Sequence, residues 1–118
     1  MKKEDKIKAL SKKAQQLTEE KESKSSTQKQ VENIEENYEE LFRKADFLLG
    51  RLEESNIFSE NPYALEALKD EIHSEHSVIL LNLDEEKERI QREKRSIEDR
   101  ESDLSYQKRK IELEGEEE

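Results

Sequence analysis

The side chains best equipped for chemistry are the two histidines. With Asp70 they form the pattern Asp70-x-x-His73-x-x-His76. Steps of three place the three groups on roughly one face of a helix, where a carboxylate and two imidazoles could begin a metal site. Di-iron helical bundles need two carboxylate-x-x-His units and further carboxylates. Here there is one imperfect unit, and His76 also falls on an apolar seam. The acidic runs Glu35-Glu36, Glu39-Glu40 and Asp84-Glu85-Glu86 read as the solvated faces of long helices. No glycine-rich phosphate loop, nucleophile elbow or cysteine–histidine constellation is present. The expectation is a non-enzymatic protein with no catalytic residue, no metal and no cofactor. One other short pattern, Phe42-x-x-x-Asp46, sets an aromatic ring and a carboxylate one helical turn apart.

The elements that must position these residues are long helices. Of the 118 residues, 46% are charged and 30% hydrophobic, and Ala, Glu, Lys, Leu and Arg supply 66. That bias with a seven-residue apolar period points to long helices or coiled coil. Cysteine is absent, which excludes a disulfide framework or a thiolate zinc site. No stretch approaches the roughly 20 apolar residues of a membrane span. The N-terminus Met1-Lys2-Lys3-Glu4-Asp5-Lys6 has no apolar segment after it, so no secretory signal is expected and the expected location is the cytoplasm. A net charge of −10 disfavours nucleic acid as a partner. Residues 1–30 carry +4, residues 31–86 carry −12, residues 87–110 carry +3, and the tail 111–118 carries −5.

Val31, Ile34, Tyr38, Leu41, Ala45, Leu48 and Leu52 alternate steps of three and four, and they predict the apolar seam of a first helix. A weaker stripe, Ile7, Leu10, Ala14 and Leu17, precedes it and is expected to share its phase. The interval from Thr18 to Gln30 lacks apolar residues, and Ser23-Lys24-Ser25-Ser26-Thr27 is poor helix material. Gly50 and Ser55-Asn56 are expected to close this helix, with Ile57 and Phe58 covering the end of the seam. Asn61-Pro62 then reads as an N-cap followed by proline at the first helical position. The reading is all-α: an antiparallel two-helix hairpin of coiled-coil-like helices. Helix one covers about 4–54, the loop about 55–61, helix two about 62–113, and an acidic tail 114–118.

In the second helix Leu83, Ile90, Ile97, Leu104 and Ile111 recur every seven residues, with Tyr106 the only other hydrophobic side chain among them. A self-sufficient seam needs two apolar residues per heptad, and this stripe has one. Folding the hairpin about residues 57–60 sets it against the apolar-free part of helix one. The expected consequence is a poorly packed, basic open end that splays or frays unless a partner binds it. Ile90, Ile97, Leu104, Tyr106 and Ile111 there form a surface for a partner helix, and the basic flanks favour acidic faces on that partner.

The stretch Asp99-Arg100-Glu101-Ser102-Asp103-Leu104-Ser105-Tyr106-Gln107-Lys108-Arg109-Lys110 carries a family resemblance. With the charged helix before it and the chain's length, it resembles the LXG-associated α-helical proteins, specifically their second, charged class. These are small hairpins of WXG/ESX-like architecture, although this chain has no Trp and its turn reads Ser55-Asn56-Ile57-Phe58. The resemblance implies a targeting chaperone of Gram-positive type VII secretion. Such a protein binds the helical N-terminal LXG domain of a polymorphic toxin, together with a sister hairpin, and it could be exported with them. Phe42 and Asp46 resemble the aromatic-x-x-x-acid export element of the sister hairpins. The alternative reading is a self-associating coiled-coil scaffold, for example a homodimer.

Overall fold

The computed structural model describes residues 2–114. It is an all-α helical hairpin. Helix α1 spans Lys3–Glu54, a single 3-10 turn covers Asn56–Phe58, and α2 spans Pro62–Glu114. Of the tail expected at 114–118, Glu114 ends α2 and the remainder lies outside the described residues. Tertiary contacts fall into two compact units. One is built from residues up to Gln28 and from Glu88 onward; the other is Lys29–Lys87.

Helix α1 continues through the serine-rich interval and through Gly50. Two threonine hydroxyls that could compete with the backbone bond back to it instead. Thr18 Oγ1 donates to Ala14 O at 3.1 Å, and Thr27 Oγ1 to Ser23 O at 3.1 Å, the local pattern that lets these residues sit inside a helix. Gly50 does not end α1: its φ is not positive, and the helix runs one turn further, to Glu54. There Ser55 takes over. Its hydroxyl donates to Leu52 O at 2.8 Å and accepts from Ile57 N at 3.5 Å. Ile57 does not cover the seam; it is exposed, while Phe58 is half-buried. The Asn61-Pro62 start forms as the residue types dictate. Asn61 Oδ1 accepts from Ala64 N at 3.3 Å, satisfying one of the donors that a helix start leaves free.

Within each unit the inward residues of α1 keep a regular three-four alternation. In Lys29–Lys87 the inward residues are Val31, Glu35, Tyr38, Phe42, Ala45, Leu49 and Leu52, all buried or half-buried. Ile34, Leu41 and Leu48, expected in the seam, are instead 56%, 62% and 58% exposed. An uninterrupted three-four alternation from Ile7 reaches 35, 42 and 49, whereas 34, 41 and 48 require one skipped step at Val31. Glu35 is tolerated inside because Lys87 reaches it from α2 at 2.7 Å. That hydrogen bond raises the Lys87 pKa above the ordinary lysine value.

Candidate functional site

The unit Lys29–Lys87 brings both histidines against Phe42 and Asp46. Phe42 lies flat on His76, with centroids 3.5 Å apart and planes at 8°. Tyr38 stacks on the same imidazole at 5.5 Å and 20°, and Phe42 meets His73 at 5.7 Å and 55°. His73 Nε2 lies 3.3 Å from Asp46 Oδ1. Two readings made separately, one metal-like and one export-like, thus describe a single interhelical contact. Phe42 and His76 hold adjacent seam positions on facing helices, while Asp46 and His73 each follow a seam residue and meet on one flank.

The cluster is built for packing. Asp70 is exposed, and the two imidazoles are engaged separately, one with a carboxylate and one between aromatic rings. Among the described residues no group of three or more His, Asp or Glu side chains is arranged to hold a metal ion. His76 Nδ1 is buried without a hydrogen-bond partner, an unsatisfied group in a seam that is otherwise apolar at this level. Phe42 and Asp46 are each occupied by a histidine, an arrangement that favours a structural role for the pair.

In the other unit the expected open surface is closed. Ile90 and Ile97 are 1% and 0% exposed, the most completely buried side chains described, and Leu104 and Ile111 are half-buried. Of the five residues assigned to a partner, only Tyr106 is exposed. Long polar side chains stand where the seam lacks apolar ones. Lys21, Lys24 and Gln28 continue the inner phase of α1 between Leu17 and Val31, and their aliphatic stems can line the interface while their polar ends reach out. Those ends pair across the helices. Lys24 Nζ lies 2.7 Å from Glu93, Lys21 lies 3.2 Å from Glu98 and 3.7 Å from Glu101, and Lys94 donates to Gln28 at 3.2 Å. The Lys24 hydrogen bond holds the Glu93 carboxyl below its usual pKa. The bond to Glu98 raises Lys21 above the ordinary lysine value. Counting apolar residues alone misses this lining. The signal was there: lysine and glutamine at the empty seam positions 21, 24 and 28, with glutamates at 93, 98 and 101.

What remains open is the row displaced from the seam. Ile34, Leu41 and Leu48 precede the inward residues 35, 42 and 49 by one position. They therefore line the flank opposite Asp46 and His73, which follow the inward residues 45 and 72. On α2, Val78 (55% exposed) follows the half-buried His76 by two positions and turns towards the same flank. Phe47 and Leu81 are exposed further round their helices, and a shallow depression there is lined by Glu40, Arg43, Lys44, Phe47 and Leu48.

A family model described as "Protein of unknown function (DUF3958)" matches residues 5–111. The chain belongs to the DUF3958 family. No curated protein and no solved structure matches it. The segment shared with the DUF3958 model takes in both halves of the aromatic–histidine cluster, both fully buried isoleucines and the outward row. It thus covers the seam of each unit as well as the face that the seam leaves out.

Proposed function

We propose that this DUF3958 chain is a non-enzymatic adaptor. In this reading it binds the helical N-terminal LXG domain of a type VII secretion toxin, together with a sister hairpin, in the cytoplasm before export. The carrying observation is an apolar row with a seven-residue period, left exposed on a hairpin whose own seam is already filled. A closed seam with a second apolar row has the form of a helix awaiting another helix. The absence of a membrane-length apolar helix among the described residues fits a role in binding protein rather than spanning lipid. The likeness of 99–110 to the charged LXG-associated proteins supplies the partner's identity.

The binding residues in this proposal differ from those read from the sequence. Ile90, Ile97 and Ile111 serve the hairpin itself, and Ile34, Leu41 and Leu48 take their place. Phe42 and Asp46 hold the two helices in register behind that row.

The test is co-expression of the chain with an LXG domain encoded beside it and with the sister hairpin. A complex that survives size-exclusion chromatography is the expected result. A folded LXG domain that elutes apart from the chain, with and without the sister protein, contradicts the proposal.

A further inference from the structure

We infer that the row Ile34, Leu41 and Leu48 with Val78 docks an amphipathic helix whose apolar stripe is flanked by lysine and arginine. The inference rests on the adaptor reading and adds the chemistry of the bound face. It also gives the partner the charge opposite to the one that the basic arms favour.

The unit Lys29–Lys87 holds sixteen acidic and six basic side chains and so carries the whole net charge of −10. Three of its six cations are already paired: Lys87 with Glu35 and Asp84, Lys69 with Glu53, and Lys44 with Glu40. Along α2, Glu71, Val78 and Glu85 recur every seven residues, and Glu75 lies between the first two. They make a column with carboxylates on either side of the exposed valine. Glu71, Glu75 and Glu85 have no ion pair among the described residues. On the α1 border stand Lys44, tied to Glu40 at 3.6 Å, and Arg51. A helix laid along the row would meet leucine and isoleucine about every 10 Å and would place its α2-side flank among free carboxylates. Basic residues there gain attraction and steered encounter; acidic ones are repelled. The same charge disfavours a second copy of this chain, whose matching unit carries another ten net negative charges.

The test uses the full chain and two synthetic amphipathic helices with one shared leucine stripe, flanked by lysine in one and by glutamate in the other. Fluorescence anisotropy at physiological salt should show the lysine-flanked helix binding at least about tenfold more tightly. The paired substitutions Leu41→Gln with Leu48→Gln, and separately Glu71→Gln with Glu75→Gln, should each weaken it by about tenfold or more. Circular dichroism should be unchanged, because all four side chains are exposed. Equal binding of the two helices, or binding indifferent to the leucine pair, overturns the inference. So does a dimer of the chain alone that the leucine pair dissolves, which would make a second copy the occupant. The adaptor reading fails separately: an LXG domain that does not bind, beside a lysine-flanked helix that does, removes the toxin and keeps the surface. An LXG domain that binds regardless of the leucine pair keeps the toxin and removes the surface.

Discussion

Phe42 lies against His76 with ring centroids 3.5 Å apart and planes 8° from parallel. This contact fixes which of two adjacent stripes of α1 faces inward. With Phe42 in the seam, Leu41 is outside it, and the same choice repeats a heptad away in each direction. Aromatic pairs contribute about 0.5–1.5 kcal/mol beyond the area they bury. A double-mutant cycle of Phe42→Leu and His76→Leu, followed by urea denaturation, should give a coupling of about that size. Additive effects would mean that the stack does not select the stripe.

Burial separates two residues that a hydrophobicity count treats alike. Ile97 is wholly buried and Leu41 mostly exposed. Ile97→Ala should cost about 2–5 kcal/mol, whereas Leu41→Ala should stay within about 0.5 kcal/mol. Thermal melts followed by circular dichroism measure both. A costly Leu41→Ala beside a mild Ile97→Ala would reverse the assignment of inner and outer faces.

Gly50 lies inside α1 without a positive φ, and a Cβ built there meets nothing within 4 Å. Nothing in the fold requires glycine at this place. Gly50→Ala should raise stability by about 0.5–1 kcal/mol, because alanine loses less backbone entropy on entering a helix. An unchanged or lowered melting temperature would show that the α1 end needs the freedom that the helical geometry does not reveal.

The cross-helix ion pairs predict losses of stability at both ends of the pH scale. Hydrogen bonding to Lys24 lowers the folded-state pKa of Glu93. Its contribution is therefore present above the unfolded value of about 4.3 and is lost as pH falls through the lower folded value. Lys21, Lys69 and Lys87 are raised by hydrogen bonds to Glu98, Glu53 and Glu35. Their contributions are present below the unfolded value of about 10.4 and are lost as pH rises through the higher folded values. These groups are partly exposed, so salt should shrink both effects. Melts across pH with Glu93→Gln as the comparison test the acid limb: the variant should lose part of the wild type's decline below about pH 4.

The hairpin was legible because its signals are local and redundant: a seven-residue period, an Asn61-Pro62 start and a composition of strong helix formers. The phase of the seam was not. Val31, Tyr38, Ala45 and Leu52 belong to both candidate stripes, and the sequence offers Ile34, Leu41 and Leu48 on one side and Glu35, Phe42 and Leu49 on the other. Counting apolar residues prefers the first set. The Phe42–His76 stack and the Lys87–Glu35 pair select the second. The same counting passes over Lys21, Lys24 and Gln28, which hold the inner positions between Leu17 and Val31. Apolar counting therefore places the candidate surface on a stripe that the fold consumes.

The most direct test of the central claim uses the natural lack of cysteine. Single variants Leu41→Cys, Leu48→Cys, Ile90→Cys and Ile97→Cys can each be followed by thiol-labelling rate, alone and with the LXG domain. The account predicts fast labelling at 41 and 48 in the free chain, slow labelling at 90 and 97, and protection of 41 and 48 when the domain binds. Fast labelling at 90 and 97 with slow labelling at 41 and 48, or a complex that leaves 41 and 48 unprotected, would contradict it.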